Sequence, residues 1–151
     1  MKCQTTAAKI FAFLPIVLEN RAIGQFANRA EAGDLKQRLT DRALPERLPT
    51  WGVLLLESHH SPAFTMEWRT HAFVKIVYVL SGKGTFHLGR TTKSFSTGDV
   101  IVVAPGTRNR IEDDPASASS LYICCIAKNL LRFDSALIQL LSSDIYRGDG
   151  H

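Results

Sequence analysis

The sequence predicts an all-β fold, a closed or double-sheet barrel, and three observations predict it. Short β-rich runs follow one another from Trp51 onward, spaced about every 8 to 12 residues as in antiparallel sandwiches and barrels. Their connections carry turn chemistry: Ser81-Gly82-Lys83-Gly84 and Gly89-Arg90 read as hairpin turns, Pro105-Gly106 as a tight turn, and 113–117 as a solvated loop. No helical pattern interrupts the series before Asn129.

In chain order, residues 1–49 read as an N-terminal extension, partly helical or disordered. Ala27 to Leu39 is polar and moderately helical without a continuous apolar stripe, and the texture changes at Pro45 and Pro49. The barrel is expected over 50–128. Its runs are Trp51 to Glu57, Ala63 to Arg69, Phe73 to Leu80, Gly84 to Leu88, Thr91 to Phe95, Asp99 to Ala104, Arg108 to Glu112 and Ser119 to Ala127. Residues 129–151 complete the chain. There Leu130, Phe133, Leu137, Leu140, Leu141 and Ile145 recur at helical spacing, predicting an amphipathic helix over Asn129 to Tyr146 and then a short tail.

Composition narrows the function classes. With 151 residues, 45% hydrophobic and 21% charged, the chain has the size of one domain and the content of a folded one. The net charge of +4 sits mostly in the extension: residues 1–50 carry eight Lys and Arg against five Asp and Glu, whereas 51–151 carry ten against nine. A barrel so nearly neutral lacks the basic face that phosphate contact demands. Three cysteines, Cys3, Cys124 and Cys125, are too few for a disulfide framework and fit a reducing, cytoplasmic setting. The apolar run Ile10 to Leu18 is far shorter than the roughly 20 residues of a membrane span. Glu19, Asn20 and Arg21 follow it without a small-residue cleavage site, so it reads as neither a span nor a leader.

Two segments then carry a resemblance. Ile76-Val77-Tyr78-Val79-Leu80-Ser81-Gly82-Lys83-Gly84-Thr85-Phe86 and Phe95-Ser96-Thr97-Gly98-Asp99-Val100-Ile101-Val102-Val103-Ala104-Pro105-Gly106 are similar to the two motifs of the cupin superfamily. The aromatic-rich strand and turn of the first most resembles the effector-binding and dimerisation domain of AraC-type transcription regulators. Similarity extends over about residues 51–127. It implies a cupin-like double-stranded β-helix, that is, a jelly-roll barrel.

The resemblance also points to where metal-binding cupins place their ligands. Counted back from Gly82 and forward from Pro105-Gly106, those positions hold Arg69, His71, Lys75 and Asn109. One imidazole, one amide and two cations do not suit zinc, iron or manganese, which take imidazoles and carboxylates. No metal, no other cofactor and no catalytic residue is therefore expected.

Strand alternation puts His71, Phe73, Lys75, Val77 and Val79 on one face, with Arg69 joining them if Thr70 introduces no bulge. By resemblance that face is the barrel interior, so Arg69, His71, Phe73, Lys75 and Asn109 form the candidate ligand-binding set. Buried cations must meet a carboxylate, reach water at the barrel mouth or bind an anionic or hydroxyl-rich ligand. Glu67 is the nearby candidate carboxylate for Lys75. His87 reads as a surface or satisfied histidine, His59-His60 as a loop pair with a weak metal signal, and Cys124-Cys125 as small apolar packing.

The function implied by the resemblance is a small-molecule-sensing and dimerisation domain. It would bind a small polar or anionic ligand such as a sugar or organic acid and associate as a homodimer. Transcription would be regulated through a helix-turn-helix DNA-binding region not present in this chain. The alternatives are a small stand-alone cupin enzyme, isomerase- or dioxygenase-like, and a purely structural dimerisation module with a filled barrel.

Overall fold

The computed structural model describes residues 38–131 and 144–148. Nine strands make two sheets: β1 (Leu39–Arg42), β2 (Val53–Thr65), β3 (Phe73–Ser81), β4 (Lys83–Leu88), β5 (Thr91–Ser96), β6 (Val100–Val103), β7 (Asn109–Asp113), β8 (Ser120–Ala127) and β9 (Asp144–Tyr146). The larger sheet runs β1-β2-β8-β3-β6-β9 and the smaller β5-β4-β7, which is the jelly-roll arrangement of two facing layers.

Alternation sorts the side chains. Val77 and Val79 of β3, Ile101 and Val103 of β6 and Leu121 of β8 meet Phe86, Leu88, Phe95 and Ile111 of the smaller sheet in one buried cluster. Each such side chain, fully buried, contributes about 1.5–3 kcal/mol. The opposite face of the large sheet is also covered, since Val74, Val100 and Val102 are buried with Ile76, Tyr78, Leu131 and Tyr146 packed against them. That two-sided burial explains why β3 and β6 read as almost unbroken apolar runs.

Three sequence expectations are corrected here. Trp51 to Glu57 and Ala63 to Arg69 are not separate strands, because β2 runs unbroken through His59, His60, Ser61 and Pro62. Pro62 is tolerated there because β1, its parallel neighbour, slips register between Thr40 and Arg42, and a proline without a donor is accommodated at such an irregularity. The extension expected over 1–49 does not stop short of the barrel: Leu39–Arg42 extends the large sheet as β1. The Asn129–Tyr146 helix is not continuous. Lys128–Leu131 forms a 3₁₀ turn, and Asp144–Tyr146 is a strand paired with β6. Asp99, buried beside β6, clamps that last strand by accepting bonds from Arg147 Nη1 at 2.7 Å and the Gly148 amide at 3.1 Å. Residues 1–37, and Phe133, Leu137, Leu140 and Leu141 of the expected helical stripe, lie outside the described residues.

Two glycines fix the β3–β4 hairpin for different reasons. Gly82 has φ +91°, a region that L side chains rarely adopt. Gly84 sits within the sheet, where an added Cβ would lie 2.3 Å from the Glu112 carbonyl oxygen. Gly84→Ala should therefore force β4 away from β7 and cost about 1–3 kcal/mol, as overpacking does. Urea denaturation checks this as a lower midpoint at unchanged slope.

Candidate functional site

β3 directs Lys75 into the barrel, where the residue is only 3% exposed. A buried ammonium needs a counter-charge, and Glu46 supplies it: Oε1 lies 2.5 Å from Lys75 Nζ, and Oε2 lies 3.7 Å from Arg69 Nη1. The partner expected from sequence, Glu67, instead pairs with Arg42 at the exposed edge. Arg69 also donates to the backbone carbonyls of Leu44, at 2.5 Å, and Ala43. One guanidinium and one ammonium thus hold residues 43–46 against the barrel. Burial alone would raise the Glu46 pKa, but the charge and hydrogen bond of Lys75 outweigh it and keep the carboxyl below its usual range.

His71, Phe73 and Asn109 form a separate cluster. The His71 ring stacks on Phe73, with centroids 4.5 Å apart, and its Nδ1 donates to the Phe73 carbonyl at 3.1 Å. Its Nε2 accepts from Asn109 Nδ2 at 3.1 Å, so both ring nitrogens are committed. Asn109 is fully buried and Nδ2 also reaches the carbonyls of Arg69 and Thr107, both at 3.2 Å. Burial, reinforced by the Lys75 charge, pushes the His71 pKa down.

These contacts test the metal positions of the cupin frame, and the residues do not fit. Lys75 and Arg69 are cations paired with Glu46, the lone pair of His71 Nε2 is taken, and Asn109 turns its amide nitrogen toward that imidazole. Among the described residues no group of three or more His, Cys, Asp or Glu is placed to hold a metal ion.

A cavity of about 200 Å³ lies in the barrel between residues 40–46 and the inner faces of the sheets. Of the five expected site residues only Lys75 lines it. Arg69, His71, Phe73 and Asn109 do not. Glu46 pairs with both interior cations, closely with Lys75 and at 3.7 Å with Arg69, which leaves one net positive charge in the trio. The lining residues that sequence reasoning missed include Glu46 and His60. Glu46 lay in the segment read as an extension, and His60 was read as part of a loop.

His60 faces inward from β2, nearly buried, with its ring stacked on Phe64 at a centroid distance of 3.4 Å. Its Nδ1 donates to Asp113 Oδ2 at 2.8 Å, and the Ser119 amide donates to the same oxygen at 3.0 Å. Burial raises the Asp113 pKa, but these bonds outweigh that and hold it below the ordinary carboxylate value. The other singled-out groups are structural. His87 bonds Glu112 and Thr92 on the outer face, and Cys125 is buried with its thiol pushed up to about 12 by burial.

Two expectations follow. Glu46→Ala leaves Lys75 buried and unpaired and should cost about 3–5 kcal/mol in urea denaturation. The double change Glu46→Leu with Lys75→Met, which replaces both charges by apolar groups, should cost much less. The second concerns pH. His71 has its folded pKa below the unfolded value near 6.5, so the unfolded chain binds the proton first and stability falls as pH drops below that value. Above it the contribution is nil. Glu46 adds a further loss as pH falls below 4.5. In His71→Gln, whose amide can accept from Asn109, the melting temperature should fall less between pH 7 and pH 5 than in the parent.

Comparison with known proteins agrees with this architecture. Residues 52–143 match the family model described as the AraC-like ligand binding domain. A cupin protein from Bacteroides fragilis superimposes with a TM-score of 0.50 at 16% identity, covering 64% of this chain and 80% of that one. A cupin 2 conserved barrel domain protein from Salinispora arenicola gives 0.47 at 18% identity, covering 76% and 97%. An RmlC-like cupin from Shewanella frigidimarina gives 0.45 at 14%, covering 53% and 71%. A search of curated protein sequences finds no match. With two facing sheets, a cavity between them and a family match over most of its length, the chain belongs to the AraC-like ligand binding domain family.

Proposed function

We propose that this chain is a small-molecule sensor that dimerises and regulates transcription through a DNA-binding region outside these 151 residues. The observation that carries the reading is the cavity: about 200 Å³ left open inside a barrel of a ligand-binding family. A recess of this size lined mainly by apolar side chains with a few polar groups has the character of a small-molecule site. Leu55 and Tyr122, exposed on neighbouring outward positions of β2 and β8, support self-association. The cytoplasm suits it, since Cys124 and Cys125 are free thiols. Among the described residues no helix is long and apolar enough to cross a membrane.

One observation favours a second reading, a small isomerase- or dioxygenase-like enzyme. His60, oriented by a carboxylate on the cavity wall, has the arrangement of a general base. A thermal-shift screen with the full chain separates the readings. A sensor at ligand concentrations of about 100 times Kd gains about 2.7 kcal/mol, visible as a clear rise in melting temperature with the compound recovered unchanged. Turnover of the compound, or about one transition metal per chain by elemental analysis, supports the enzyme instead. Sedimentation should show a dimer at tens of micromolar, where a modest interface associates.

A further inference from the structure

We infer that the cavity recognises a neutral, phenol-like molecule: a compact apolar body carrying one hydroxyl that donates to His60 Nε2. The inference rests on the sensing reading and names its ligand class. Size sets the first limit. An apolar cavity of about 150 Å³ admits benzene, so about 200 Å³ holds one ring with a short substituent.

Hydrogen-bonding capacity sets the second. The side chains of Phe64, Met66, Phe86, Ile111 and Leu121 give the cavity apolar walls. Of the charged groups on it, Lys75 and Glu46 are paired with each other, and Glu57 Oε1 lies 2.8 Å from His59 Nε2. His60 is different. Its Nδ1 hydrogen is committed to the accepting carboxylate oxygen of Asp113, and in the Nδ1–H tautomer that this bond selects the lone pair lies on Nε2. Nε2 has no hydrogen-bond partner among the described residues, and His60 lines the cavity. Stacking on Phe64 fixes the plane of the ring and hence the direction of that lone pair.

Such a wall selects by chemistry. A hydroxyl on an aromatic ring is a good donor to an imidazole lone pair, and the ring suits the apolar remainder. A sugar of similar volume brings several hydroxyls to walls with few free partners, and each one left unpaired weakens binding by about tenfold or more. A carboxylate ligand meets walls that carry two carboxylates, Glu46 and Glu57, against the single ammonium of Lys75, which Glu46 already pairs.

Calorimetric titration of the full chain with p-cresol, toluene, glucose and benzoate tests the inference. p-Cresol should bind at least about tenfold more tightly than toluene, the value of one hydrogen bond to a buried acceptor. In His60→Phe, which keeps an aromatic ring without the lone pair, that difference should vanish. The ring ¹⁵N signal of His60 in the parent should move with p-cresol and not with toluene, so the test stands even if the variant does not fold. Equal binding of toluene and p-cresol to the parent overturns the role of His60 and leaves the sensing reading intact. Binding of glucose or benzoate in preference to p-cresol overturns the ligand class, again without touching that reading. No binding of these four or of any compound in the broader thermal screen overturns both.

Discussion

The structure turns on the Lys75–Glu46 ion pair. β3 must run through the middle of the large sheet, between β8 and β6, and its alternation sends position 75 into the interior. An ammonium there is tolerable only beside a carboxylate, and the barrel strands themselves do not supply one within contact of it. Glu46 does so from outside them, and its approach draws residues 43–46 across the interior, where Arg69 ties down two of their carbonyls. The cavity's outer wall is therefore a consequence of charge neutralisation. Apolar packing alone would not place that segment, since Leu44 remains 75% exposed.

β7 organises the polar interior in a complementary way. Its inward positions are Asn109, Ile111 and Asp113, so one strand carries a polar group at each end of its inner face and an apolar one between. At one end Asn109 ties together His71 and the carbonyls of Arg69 and Thr107, cross-linking the turn before β3 to the start of β7. At the other, Asp113 orients His60. The first end corresponds to the position from which metal-binding cupins draw a ligand, and here it is structural. At the opposite end the imidazole of His60 lines the cavity.

Much of the fold was legible from local pattern. The β3–β4 hairpin, the Gly98-Asp99 turn and the β6 run are set by turn chemistry and by apolar alternation, both of which act over a few residues. The inward positions Lys75, Val77 and Val79 of β3 followed from the same period of two. Long-range pairing was harder to see. Nothing local distinguishes Leu39-Thr40-Asp41-Arg42 from a polar linker, and it becomes a strand because β2 presents a free edge to it. His59-His60-Ser61-Pro62 reads as a loop by composition, yet it lies in β2 because His60 finds Asp113 and the edge irregularity absorbs Pro62.

The sequence by itself determined the fold class, the family and the loss of the metal-ligand set. Those depend on residue type at short spacing, which a chain carries before it folds. Tertiary structure decided which groups are free to act. Whether Lys75 and Arg69 would bind an anion, reach water or be neutralised depended on a carboxylate 29 positions before Lys75 in the chain. Which histidine would keep a usable lone pair depended on what each ring met: His71 has both nitrogens taken, whereas His60 has one. Partner choice of this kind is set by proximity in space between distant segments, and no local pattern encodes it.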